Sequence, residues 1–185
     1  MLAAEENWPQ FRGPNGDGVA ASADPPIHWS ETRNVAWKVR LPGRGRSSPV
    51  VLGNRIWVTT AYETPAGGEE TEKRLRGHPM PGDMDLATRV VLAVVCLDRS
   101  SGKRLYEAKL FDVDKPPPVH KLNSYATPTP VVETGRVYCD FGALGTACLE
   151  AETGRHTLEE ATAGRPPGRP RQLARVVQGH ASARP

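Results

Sequence analysis

Short apolar segments alternate with turn residues along most of the chain. Apolar and polar residues alternate from Asn34 to Leu41, which predicts a half-buried strand. Val50–Leu52 and Ile56–Thr60, joined by Gly53-Asn54, predict a β-hairpin. Val90–Leu97 and Leu105–Phe111 predict two further strands. Residues 1–155 contain no apolar period typical of helices, so we expect this body to be all-β.

Two blocks of the sequence occur twice, in the same order. Residues 48–58 match residues 129–139 through the pattern Ser/Thr-Pro-Val-Val and then Arg-Ile/Val-aromatic, with an offset of 81 at every matched position. Residues 96–103 match residues 148–155 through Cys-Leu-Asp/Glu and then Ser/Thr-Gly-Lys/Arg, with an offset of 52. The shorter second offset places an insertion in the first copy, within about residues 62–89. Because this segment is polar, we predict a long surface loop there.

The repeated blocks indicate small antiparallel sheets that stack on one another. Gly102 and Gly154 supply the positive φ that a tight turn between two strands needs, and the preceding apolar residues can pack between neighbouring sheets. A sheet with two apolar faces buries them only against similar sheets, as in a β-propeller. A spacing near 50 residues is typical of such repeats.

These motifs resemble the repeat of pyrroloquinoline-quinone-like (PQQ-like) β-propellers, which include bacterial quinoprotein dehydrogenases and BamB-type outer-membrane assembly scaffolds. Three further segments resemble a bacterial, exported subgroup: Trp8–Pro14, Leu41–Pro49 and Asn123–Pro130. The resemblance covers residues 7 to about 155 and implies roughly seven or eight blades of four strands. This chain has room for about two blades, so we expect an incomplete propeller that cannot close a ring alone.

Composition divides the chain near residue 155. Residues 1–155 hold 19 Lys and Arg against 19 Asp and Glu, whereas residues 156–185 hold five Arg, two Glu and no aromatic residue. The Pro-rich run Gly164–Arg171 cannot form a strand. We therefore predict a propeller body over 1–155 and a disordered Arg/Pro/Ala-rich tail over 156–185. A reading-frame slip in a GC-rich gene explains this tail better than a basic arm for nucleic acid does.

Several classes of protein are excluded by the same counts. The longest apolar run, Val90–Leu97, is too short to span a membrane as a helix. The three cysteines include no Cys-x-x-Cys motif, which argues against a disulfide scaffold or a structural zinc site. Met1–Ala4 resembles the end of a signal peptide, but no complete signal precedes it. The resemblance implies a periplasmic or secreted protein.

Two groups of residues are candidates for ligand binding. The Gly-rich turn Gly43–Ser48 can lie beside a propeller channel, where Arg44, Arg46 and Ser47 would hold an anionic ligand. His120, Asn123 and Tyr125 form a second candidate group, although a single His without a partner is more often structural. No nucleophile-elbow or zinc-protease motif is present, and the Asp pairs at 83/85 and 112/114 lack a calcium-loop pattern. Cys96 and Cys148 occupy equivalent positions and are expected to be small core residues.

The sequence leaves two main functions open. The first is a non-catalytic binding or scaffold module made of the first blades of a PQQ-like propeller, with no cofactor. Its expected partners are the remaining blades or further copies of the chain, with a small-molecule or protein ligand also open. The alternative is a fragment of a PQQ-dependent quinoprotein dehydrogenase that uses PQQ with calcium. A third, less favoured function is nucleic-acid binding through the Arg-containing tail.

Overall fold

Two four-stranded antiparallel sheets make up most of the computed structural model, which describes residues 7–20 and 26–160. Sheet 1 has the order β1-β2-β4-β5, and sheet 2 has the order β7-β8-β9-β10. A two-stranded sheet pairs β3 with β6. The elements are β1 (Val50–Leu52), β2 (Arg55–Pro65), α1 (Gly68–Leu75), β3 (Met84–Asp85), β4 (Ala87–Asp98), β5 (Arg104–Asp114), β6 (Val119–His120), β7 (Val131–Glu133), β8 (Arg136–Asp140), β9 (Thr146–Glu150) and β10 (His156–Glu160).

This architecture confirms the predicted all-β body and is consistent with an incomplete propeller. The predicted hairpin is β1-β2, in which Leu52 pairs with Arg55 across a turn where Gly53 has φ +57°. The two further predicted strands are β4 and β5. Strand pairing is the same at positions 81 apart, since Glu133 pairs with Arg136 as Leu52 pairs with Arg55.

The segment within about residues 62–89 differs from the predicted surface loop. Strands β2 and β4 continue into it, so that Tyr62 pairs with Val91 and Thr64 with Arg89. Helix α1 follows β2, with acidic residues in its first turn and basic residues in its last. The helix is missing from the prediction because Leu75 is its only buried residue, which leaves no apolar period to detect.

The predicted strand over residues 34–41 is wrong, because this segment pairs with no other strand in the described residues. The chain is held there by Trp37, whose indole Nε1–H donates to the Arg99 carbonyl at 2.9 Å. The ring of Trp37 lies so close to Gly102 that a Cβ at Gly102 would be 2.5 Å from it. Val35 and Val39 are 38% and 40% exposed, since no neighbouring strand covers them.

Tyr106 makes the equivalent contact between the two sheets. Its ring packs against Gly154, where a Cβ would lie 2.6 Å from Cδ2, and its hydroxyl donates to the Ala151 carbonyl at 2.9 Å. Trp57 donates to the same hydroxyl at 2.8 Å. The aromatic side chain of one strand therefore docks on the glycine turn of the next sheet. Buried residues of both sheets form one continuous core.

The composition change at residue 155 does not coincide with the end of sheet 2. Backbone pairing of β10 with β9 continues from His156 to Glu160, within the segment predicted as a disordered tail. The remainder of that predicted tail, residues 161–185, lies outside the described residues. No helix among the described residues is long and apolar enough to cross a membrane.

Candidate functional site

The Gly-rich turn before β1 lies flat against strand β2. Gly43 has φ +72°, and a Cβ there would lie 2.6 Å from the Ala61 carbonyl oxygen, so only glycine fits. The next residue, Arg44, exchanges backbone hydrogen bonds with Ala61 at 2.8 and 2.9 Å. This pairing fixes the direction in which the Arg44 side chain leaves the turn.

The guanidinium of Arg44 joins four protein groups. It donates to Asp85 Oδ2 at 2.8 Å and to Glu63 Oε2 at 3.4 Å. It also donates to the carbonyl oxygens of Lys121 and Asn123, at 3.1 and 3.0 Å. The hydrogen bond to Asp85 and the charge of Glu63 raise the pKa of Arg44. Arg44 thus ties strand β2 and strand β3 to the loop that follows β6.

Glu63 is the more buried of the two carboxylates that pair with Arg44. Burial raises the pKa of Glu63, and the guanidinium of Arg44 opposes that rise. Its second oxygen, Oε1, is buried without a hydrogen-bond partner among the described residues. Arg44 therefore faces two carboxylates, and its charge is used within the protein rather than offered to an anion.

Arg46 and Ser47, the other predicted members of this group, point to different neighbours. The amide of Arg46 donates to the Ala126 carbonyl at 3.1 Å, and its side chain is exposed. The hydroxyl of Ser47 accepts a hydrogen bond from the Thr59 amide at 3.2 Å. These contacts hold the turn to β2 and to the chain before β7. The backbone amides of Arg44 and Arg46 both donate to carbonyl oxygens of the protein, so neither amide is available to an anion in this arrangement.

The second predicted group is partly brought to the same place. Asn123 follows β6, and its carbonyl accepts from Arg44, while its amide donates to the His120 carbonyl at 2.7 Å. His120 Nδ1 accepts from the Leu122 amide at 3.1 Å, which closes a tight turn. Tyr125 is buried, donates to the Pro117 carbonyl at 2.9 Å and has its pKa raised by burial. Tyr125 is therefore a core residue, and ligand binding by the six candidate residues stays a prediction.

A groove at the turn end of the two sheets was not expected from the sequence. It has a volume of about 600 Å³ and lies between the β1-β2 turn, the β7-β8 turn and the turn after β9. An ion pair between Arg55 and Glu152 crosses it. Near its rim, Asp98 accepts hydrogen bonds from the hydroxyls of Ser100 and Ser101, which lower the pKa of Asp98 to about 2. The matched hairpin blocks, 81 residues apart, were the sequence signal for this groove, because they place the β1-β2 and β7-β8 turns at one end.

The cysteines and acidic residues offer little reactive chemistry in the described part of the chain. Cys96, Cys139 and Cys148 are buried free thiols, and burial raises the pKa of Cys139 above its usual range. Cys96 and Cys148 lie in β4 and β9, at equivalent buried positions. Within residues 7–20 and 26–160, no group of three His, Cys, Asp or Glu side chains could hold a metal ion.

Comparison with known proteins gives a limited result. No family model matches the chain, and no curated protein matches it. Among solved structures, a europium-containing methanol dehydrogenase is similar over 67% of this chain, with 16% sequence identity and a TM-score of 0.28. The chain spans only 26% of the length of that protein.

Proposed function

We propose that this chain is a non-catalytic binding and scaffold module, made of two blades of an exported, periplasmic or secreted PQQ-like β-propeller repeat protein. The observation that carries the proposal is the docking of Tyr106 on the Gly154 turn, together with the same contact between Trp37 and Gly102. A contact that recurs from one sheet to the next is what a stack of repeats needs. The expected partners are further sheets of the same kind.

The Arg44 cluster supports a scaffold rather than a quinone site. PQQ carries several carboxylates, so a site for it needs cations that are free to pair with them. Arg44 is already paired with Glu63 and Asp85, and Glu63 has no spare positive neighbour for Oε1. The residues present at this cluster do not fit an anionic quinone. We therefore propose that Arg44 acts by fixing the loop around Asn123 against strand β2.

Quinone reconstitution tests this proposal against the alternative, a fragment of a PQQ-dependent dehydrogenase. The full chain is incubated with PQQ and calcium, dialysed, and examined for the quinone absorbance and for dye-linked oxidation of alcohols. We expect no retained quinone and no activity. Retained quinone that is lost in the Arg44→Gln variant but kept in Arg46→Gln would contradict the scaffold proposal and favour the dehydrogenase fragment.

A further inference from the structure

The groove at the turn end of the two sheets has the size and the lining of a small-ligand site. Its volume of about 600 Å³ lies within the range of about 300–1,000 Å³ that is typical of ligand pockets. Leu52, Leu105 and Ala151 give it apolar walls, and Leu105 is 44% exposed. A Cβ on Gly53 or Gly135, in the turns that border the groove, would meet no atom within 4 Å. The space between the turns is therefore open.

The floor of the groove offers apolar contact but no spare hydrogen bond. Trp57 lines the groove, and its indole Nε1–H donates to the Tyr106 hydroxyl at 2.8 Å. That hydroxyl in turn donates to the Ala151 carbonyl at 2.9 Å. Because both donors are used within the protein, polar recognition of a ligand has to come from the charged residues of the groove.

Arg55 is the cation that lines the groove. It lies two residues before Trp57 in β2, so the two side chains leave the same face of the strand. Its guanidinium donates to the Glu152 carbonyl at 3.3 Å and to the Glu152 carboxylate. The bond to the carbonyl anchors the guanidinium to the backbone of the turn after β9. A guanidinium carries five N–H donors, which suits it to a carboxylate ligand.

The Glu152 carboxylate is the part of this ion pair that can leave. The Glu152 side chain is 70% exposed, whereas the Arg55 side chain is 26% exposed. Within residues 7–20 and 26–160, the Glu152 carboxylate pairs with Arg55 alone. An ion pair with one partner so exposed adds little to stability. Glu152 therefore occupies the guanidinium in the manner of a built-in competitor for an external anion.

The remaining charges at the rim favour an anion over a cation. Asp98 lines the groove, and its carboxylate accepts hydrogen bonds from two serine hydroxyls of its own turn. The neighbouring Arg99 donates to the Gly53 carbonyl at 3.5 Å, which places a second cation at the same rim. Asp98 and Arg99 offset each other. When the Glu152 carboxylate moves away, the positive charge of Arg55 is left without a partner.

We propose that the groove binds a small apolar monocarboxylate, whose carboxylate replaces that of Glu152 on Arg55 and whose body lies against Leu52 and Leu105. The proposal rests on the groove and depends neither on further sheets nor on the quinone. A ligand of two fused rings should bind with a dissociation constant of about 1 mM. Such a ligand is lost on dialysis, so this site does not affect the quinone experiment.

Calorimetric titration of the full chain with 2-naphthoate and with its neutral analogue 2-naphthamide tests the proposal. The two compounds have nearly the same shape, but only the acid can form a charge-assisted pair with Arg55. We expect the amide to bind at least about tenfold more weakly than the acid. Failure of the acid to bind, or equal affinity for both compounds, would overturn the proposal. Tighter binding of the peptide acetyl-Gly-Leu-Phe, with a free terminal carboxylate, would assign the groove to a chain terminus and overturn it as well.

Substitutions within the ion pair test the displacement. Glu152→Gln removes the competing charge at an exposed position, so the affinity for 2-naphthoate should rise about three- to fivefold. Arg55→Gln should abolish binding, whereas Arg55→Lys should retain part of it. Arg155→Gln is the matched control, because Arg155 pairs with Glu150 nearby but does not line the groove. An affinity that does not rise in Glu152→Gln, or equal losses in Arg55→Gln and Arg155→Gln, refutes the displacement.

Failure of this proposal can be distinguished from failure of the proposed function. Quinone retention that depends on Arg44 would contradict the scaffold proposal, and 2-naphthoate binding that depends on Arg55 would still establish the groove as a site. Conversely, absence of 2-naphthoate binding removes the groove site and leaves the scaffold proposal unchanged.

Discussion

The contact between Tyr106 and Gly154 predicts an unusually costly glycine substitution. Gly154 has φ +71°, so an alanine there pays about 1–2 kcal/mol for the left-handed backbone. Its Cβ would also lie 2.6 Å from the Tyr106 ring, and overpacking of this kind costs about 1–3 kcal/mol. We therefore expect Gly154→Ala to lower the free energy of unfolding by about 2–5 kcal/mol.

A matched glycine separates the backbone cost from the cost of the contact. Gly135 has φ +82°, but nothing lies within 4 Å of a Cβ placed there, so Gly135→Ala should cost only about 1–2 kcal/mol. The free energy of unfolding of both variants is measured by urea denaturation, with tryptophan fluorescence as the signal. In a Tyr106→Ala background the ring is gone, so Gly154→Ala should lower the free energy of unfolding by only as much as Gly135→Ala does. Equal losses in Gly154→Ala and Gly135→Ala in the wild-type background would refute the role given to this contact.

Three further predictions concern the cluster, the turn and the core. Arg44→Gln should lower the free energy of unfolding by about 2 kcal/mol, because a partly buried carboxylate loses its cation, whereas Arg46→Gln should change it by less than about 0.5 kcal/mol. Equal effects in chemical denaturation would contradict this assignment. The pKa of Asp98 is lowered to about 2, so its stabilisation is complete above the unfolded value near 4 and is lost as the pH falls towards 2. The stability difference between wild type and Asp98→Asn should therefore narrow between about pH 4 and 2, and a difference independent of pH would refute this. Tyr125→Phe should cost about 1 kcal/mol in thermal unfolding, because the Pro117 carbonyl loses its donor; no change would argue against that hydrogen bond.

Short apolar or β-rich segments bounded by turn residues were sufficient to predict the main strands of sheet 1. Val90–Leu97 is entirely apolar and is followed by turn residues, which is typical of a strand buried on both faces. Alternation of apolar and polar residues failed for residues 34–41, which have the pattern of a strand but pair with no strand in the part of the chain that the structure describes. The hydrophobic pattern shows which segments have side chains that suit a strand. Whether such a segment joins a sheet depends on whether another strand lies beside it in the folded chain.

At the candidate site, the surroundings of Arg44 could be predicted only in part from the sequence. The glycines around it correctly indicated a close approach of backbone, since Gly43 contacts β2. Its carboxylate partners lie 19 and 41 residues further along the chain, in strands whose meeting no local motif reports. The predicted anion-binding arginine is therefore paired within the protein. Helix α1 was missed for a related reason, because a helix with one buried residue depends on its neighbours rather than on its own pattern.

By itself, the amino-acid sequence determined the strand-forming segments, the glycine turns and the equivalence of positions 52 and 81 residues apart. These properties are local, because they depend on backbone conformation and on the alternation of side chains across a strand. Only the tertiary structure decided that Tyr106 docks on Gly154, that Glu63 and Asp85 neutralise Arg44, and that residues 35–41 join no sheet formed by residues 7–20 and 26–160. Those outcomes depend on contacts between distant segments, which exist only once the sheets have come together.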